Sequence, residues 1–178
     1  MTAIGFNIAA ASLVGNALGA NKPKLAKQYT DIAILVATVA SLIFVLSLLC
    51  FSNSIISIFT KHENVKDEAV KCIPILCVLL VPDFIQATAQ GIITAMGYQQ
   101  KGSYWCLFCY WFISTPLSAL LAFHYDMGLR GIFIGPTVGL TCIAIAYLYL
   151  IYSTDWKILS EKIHDRILQE KQSLNNEI

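Results

Sequence analysis

Four stretches of this sequence are long enough to cross a bilayer and nearly devoid of charge. Residues 32–60, 102–125 and 131–154 contain no Asp, Glu, Lys or Arg, and residues 72–100 contain only Asp83. A helix needs roughly 20 mainly apolar residues to span about 30 Å of hydrocarbon. Each stretch meets that length, so the chain reads as an all-α, polytopic transmembrane helical bundle. Composition agrees: 57% of residues are hydrophobic, mean hydropathy is +0.65, and 13% are charged, about half the share in a soluble domain.

Five spans are expected, near 1–19, 32–60, 72–96, 104–123 and 131–153, followed by a cytosolic amphipathic tail over 155–178. The first is the weakest, because Asn7, Ser12, Asn16 and three glycines dilute it. It reads as the second half of a span, which suggests part of a longer protein. A signal peptide would place its basic residues before the apolar run, whereas Lys22 follows it.

The cations set the orientation, since cytoplasmic loops carry the Lys/Arg excess. Alternate loops place Lys22, Lys24, Lys27, Lys101, Lys157, Lys162, Arg166 and Lys171 on one side and Lys61, Lys66, Lys71 and Arg130 on the other. The 21–30 loop, the 97–103 turn and the C-terminus are therefore expected in the cytosol, with plasma and vacuolar membranes fitting equally. In the tail, Trp156, Leu159, Ile163 and Ile167 share one helical face. That pattern suits a helix lying on the cytosolic leaflet with Trp156 at the headgroups, or a solvated tail.

Several chemistries find no support. A net charge of +1 without a basic, aromatic-interleaved block argues against nucleic acid. Cys106 and Cys109 have the spacing of a redox or metal pair but lie in an uncharged helix without a second ligand pair, so packing is the better reading. His62, His124 and His164 are expected to be solvated. With no nucleophile beside a base, no metal cluster and no phosphate loop, an enzyme is not indicated, and neither is a cofactor.

Asp83 carries the functional expectation. A charge at mid-bilayer costs about 2.5 to 3.5 kcal/mol on insertion scales. That is roughly two decades of proton affinity, so Asp83 is expected to exchange a proton near physiological pH. Gln86, Ala87, Gln90, Gly91 and Thr94 follow at offsets that share its helical face. Gln86, Gln90 and Thr94 are the candidate substrate contacts, facing a wet cavity or other helices. Pro82 is expected to kink this helix and free the Val78 carbonyl for a cation or proton. Pro116 and Pro136 interrupt the next two spans, with Ser114, Thr115 and Ser118 placed to satisfy freed backbone groups. Gly131, Gly135 and Gly139 recur every four residues, as do Gly15 and Gly19, a spacing that lets helices approach closely.

Val14-Gly15-Asn16-Ala17-Leu18-Gly19-Ala20, followed by a basic loop and a long apolar span, resembles the signature of multidrug and toxic compound extrusion (MATE) transporters, with Gly15, Asn16 and Gly19 as its structural motif. Ile58-Phe59-Thr60, Asp83-x-x-Gln86, Gly97-Tyr98-Gln99-Gln100-Lys101, Thr115-Pro116-Leu117 and Met127-Gly128-Leu129-Arg130-Gly131-Ile132 keep register with later features of that family. The resemblance implies a secondary antiporter exporting organic cations or other xenobiotics, coupled to H+ or Na+. It places this chain over the end of the eighth helix through the twelfth, most of a C-terminal lobe. Asp83 then falls where eukaryotic members carry an acid implicated in coupling. Acids that some members place on earlier helices have no counterpart here. Alternating access needs two lobes, so the implied partners are the bilayer, a small-molecule substrate and either the missing N-terminal lobe or a second polypeptide. A non-transporting truncated remnant, or a regulatory partner of an intact homologue, is the alternative.

Overall fold

The computed structural model describes residues 2–59 and 63–176. Thr60 of the Ile58-Phe59-Thr60 motif, Lys61 and His62 lie outside them. Among the described residues six helices run in order: α1 (Thr2–Gly19), α2 (Pro23–Phe59), α3 (Glu63–Ala95), α4 (Gln99–His124), α5 (Leu129–Ser153) and α6 (Trp156–Asn176). No strand occurs among the described residues. Within α2 to α5, four segments are long and apolar enough to cross a membrane: Pro23–Ser52, Ala69–Ala95, Gln99–His124 and Leu129–Ser153.

α3 is the central helix, packed against α1, α2 and α5. Val14 and Leu18 of α1, Ile92 and Ile93 of α3, and Ile143 and Tyr147 of α5 form the middle of the core. Large apolar side chains are also displayed outward, including Leu35, Val39 and Leu46 on α2 and Trp105, Trp111 and Phe112 on α4. Lipid tails are as apolar as leucine, so these faces carry no penalty in a bilayer.

The helices extend further than the sequence suggests. The 21–30 segment, expected as a loop, is non-helical only through Lys22. Pro23 opens α2 because its fixed φ and missing donor suit a first helical position. Lys24 and Lys27 therefore stand on the helix itself. The 97–103 turn is likewise short, with Gln99 to Ser103 already in α4.

Both turns use the same device. Asn21 at φ 53° and Gly97 at φ 73° stand in the left-handed region just past α1 and α3. Lys22 N–H reaches the Ala17 carbonyl and Asn21 N–H the Leu18 carbonyl. Tyr98 N–H and Gly97 N–H repeat the pattern on Ile93 and Thr94. This Schellman arrangement satisfies carbonyls that a helix C-terminus leaves open.

α3 runs as continuous helix through Pro74 and Pro82. α4 answers its proline differently, with π-helical turns over Cys109–Ser114 and Leu120–His124 flanking the short α-helical stretch around Pro116. The backbone N–H and the hydroxyl of Thr115 both donate to the Tyr110 carbonyl, the latter at 2.9 Å. Widening the turn to i→i−5 bonds lets the chain pass a residue without a donor. Ser118 donates across to the Ile132 carbonyl of α5 at 3.3 Å.

α4 and α5 meet along the glycine stripe. A Cβ built at Gly131 would lie 2.6 Å from the Ala122 nitrogen, at Gly135 2.6 Å from the Ser114 oxygen, and at Gly139 2.7 Å from the Ser114 Cβ. Only glycine admits backbones this close. Gly15 and Gly19 have ordinary contacts, 3.8 Å to Ala95 Cβ and 3.4 Å to Ile167 Cδ1.

The tail corrects two expectations. Trp156 and Leu159 are buried in the main core, with Ile163 packed against it, so the apolar face of α6, Trp156 included, docks on protein. His164, expected to be solvated, places Nδ1 3.0 Å from the Gly19 carbonyl, and the Ser160 hydroxyl lies 3.1 Å from Asn21 Oδ1. The open carbonyl end of α1 supplies the Gly19 acceptor and Asn21, just past it, supplies the side-chain oxygen; an amphipathic pattern alone does not say which apolar surface it will meet. His124, by contrast, is exposed.

Candidate functional site on the third helix

The polar wall of α3 begins at Asp83. Its carboxylate is partly buried and forms no hydrogen bond or ion pair among the described residues. The phenol of Tyr110 on α4 lies within its electrostatic reach. Phe84, the next residue, packs its ring against Phe6 of α1 and Phe44 of α2, at centroid distances of 5.7 and 5.4 Å. These aromatic contacts fix the rotation of α3 near the acid.

One turn further, the wall divides. Asn7 of α1 donates its side-chain amide to the Ala87 carbonyl at 2.9 Å, and its own backbone packs directly on Gly91. The Ala87 and Gly91 side of the stripe is thus consumed by helix packing. Gln86, buried, donates to Gln90 Oε1 at 3.2 Å, while Thr94 turns its hydroxyl to the Gln90 carbonyl at 2.9 Å.

Gln90 and Thr94 open on a cavity of about 480 Å³ at the α3–α4 turn, which Gln99, Gln100, Ser103, Tyr104 and Tyr147 help to enclose. Tyr147 is held there by its hydroxyl, which donates to the Gly102 carbonyl at 3.0 Å. Gln86 and Asp83 are not among the lining residues. Asp83 and Gln90, seven residues apart, are separated by about 10 Å of helix rise.

The cavity is hydrogen-bonding and uncharged; the charge sits apart, on the same rigid helix. Asn7, Tyr104, Tyr110 and Tyr147 were not singled out from sequence. The available signal was weak, a lone amide or phenol within an apolar run, but such groups in membranes face protein or water more often than lipid. The six cysteines are free thiols, with Cys72, Cys77 and Cys109 buried, and no cluster of metal-ligating side chains occurs among the described residues.

Membrane-length helices around a polar central helix define an integral, multi-pass membrane protein. A family model described as MatE matches residues 1–120, and the chain belongs to that family. Protein DETOXIFICATION 36 and Protein DETOXIFICATION 29 of Arabidopsis thaliana are each 31% identical, over 95% and 94% of this chain. The chain spans only 34% and 33% of their lengths. The crystal structure of the eukaryotic MATE transporter AtDTX14 matches with a TM-score of 0.88 at 28% identity, over 93% of this chain and 37% of that one. An inward-facing multidrug resistance MATE family transporter of the MOP superfamily shares the fold, with a TM-score of 0.72 at 20% identity, over 89% of this chain and 36% of that one.

Proposed function

We propose that this chain forms the C-terminal-lobe portion of a secondary antiporter that exports organic cations or other xenobiotics in exchange for protons or sodium. Its spans carry the membrane region, and the 21–30 segment, the 97–103 turn and the C-terminal tail face the cytosol. Asp83 is the coupling group, and Gln90 and Thr94, with Gln86 behind them, are the substrate-side contacts. The observation that carries this reading is the partly buried Asp83 carboxylate, without a hydrogen-bond or ion-pair partner among the described residues, on the helix that also walls the polar cavity.

Magnitudes favour coupling at this separation. Two unit charges about 10 Å apart at an effective dielectric of about 20 interact by about 1.6 kcal/mol. That is about a fifteenfold change in the affinity of a cationic substrate between the charged and neutral states of Asp83. Proton or sodium binding at Asp83 would release a cation from the cavity, and loss of the ion would admit one, which is the thermodynamic requirement of antiport.

Asp83→Asn, introduced into the chain together with the polypeptide that completes its transporter, is expected to abolish gradient-driven efflux of a fluorescent organic cation while leaving membrane abundance intact. Unchanged efflux would refute the assignment. A second reading follows from the chain spanning about a third of its relatives' length: a non-transporting partner of an intact homologue. It requires that chain and homologue co-purify and that Asp83→Asn leave the homologue's transport unaltered.

A further inference from the structure

The tail helix and the α3–α4 turn enclose a second cavity of about 330 Å³, separate from the polar one but sharing Thr94 with it. Its floor is Ala95, Met96 and Gly97, and its outer wall is Lys162 and Arg166, one helical turn apart on α6. Neither cation has an ion-pair or hydrogen-bond partner among the described residues. Among the described residues no acidic side chain lines the cleft; Glu161 and Asp165 occupy neighbouring positions on the tail but are not part of its wall. Tyr98 brings a phenol to the rim, and Lys101 sits over its ring at 4.8 Å from the centroid, so a third cation stands beside the opening.

We propose that this cleft binds a phosphate-bearing anion, held by Lys162 and Arg166 against the α3–α4 turn. Arginine offers a planar fork of donors and lysine a mobile point charge, a pairing that suits phosphate oxygens. The cleft lies where membrane-length helices emerge from the bundle, so an anionic phospholipid headgroup and a soluble phosphorylated molecule can both supply the group. If the tail lies in the cytosol as proposed above, the adjoining leaflet is the one rich in anionic lipid. Thr94 is the lining residue shared with the polar cavity, but the anion is held by Lys162 and Arg166, neither of which lines that cavity, so binding is measured without a transport readout.

The test uses the detergent-purified chain and native mass spectrometry with three probes: a short-chain phosphatidylinositol phosphate, phosphatidylcholine of equal chain length, and an inositol phosphate without acyl chains. The phosphoinositide is expected to bind well above phosphatidylcholine. Lys162→Gln with Arg166→Gln is expected to weaken it by roughly tenfold or more, since each surface cation contributes about a further fivefold toward anionic lipid. The charge-preserving pair Lys162→Arg with Arg166→Lys should retain binding, as should Lys157→Gln, outside the cleft. Competition by the acyl-free inositol phosphate would identify a soluble ligand, and its failure to compete would identify the lipid headgroup. Equal binding of both lipids, or undiminished phosphoinositide binding in the Gln pair with unchanged helicity, would overturn the proposal.

Discussion

At Gly91 the absence of a side chain decides how two helices meet. The Asn7 backbone occupies the space a Cβ would fill, and the Asn7 amide donates to Ala87 within the same contact. Gly91→Ala must push α1 away from α3, an overpacking effect expected to cost about 1 to 3 kcal/mol. Gly5→Ala is the matched control, since nothing lies within 4 Å of its Cβ position. Thermal unfolding of the detergent-solubilised variants should show a lowered midpoint for the first and none for the second. Asp83 itself was legible in sequence because a charge among apolar residues is conspicuous. Asn7 was not, because an amide in an apolar run has the same appearance whether it bonds a neighbouring helix or merely weakens a span.

Among the elements, α6 departs most from its sequence reading. Its apolar stripe at 156, 159, 163 and 167 was evident, yet a stripe specifies a face and not its counterpart. Protein supplied the counterpart here, through the shared core and the carbonyl end of α1. Trp156→Ala removes a large buried side chain and is expected to loosen the tail by on the order of 3 kcal/mol. Hydrogen exchange over α6 should then accelerate by about two orders of magnitude while exchange in α3 stays slow; uniform acceleration would mean that the whole bundle had been undermined. The four membrane-length helices coincide with stretches nearly free of charge, and α6 with an amphipathic stripe. Their exact starts were not legible, because lysines near a membrane surface tolerate helix as well as loop. The π turns around Pro116 were also hidden, since a missing N–H can be absorbed by a kink, a widened turn or a side chain.

For the molecule as a whole, α3 is the part on which the proposed function converges, carrying Asp83 toward one region and Gln90 and Thr94 into a cavity walled by α4 and α5. That cavity could not be read from the sequence because its lining comes from residues as distant as Gln90 and Tyr147. Two lobes are required for alternating access. Expression of this chain alone in an efflux-deficient host is accordingly expected to leave accumulation of a fluorescent cation at the host's baseline, whereas co-expression with a family N-terminal lobe should lower it. The seam at Gly131, Gly135 and Gly139 bears on how any such cycle proceeds. Two backbones in direct apposition cannot slip past one another without lifting apart, so α4 and α5 should travel as one stiff plank. Hinging then belongs to the side-chain-padded boundaries around α2, where bulky groups can re-seat without prising main chains apart.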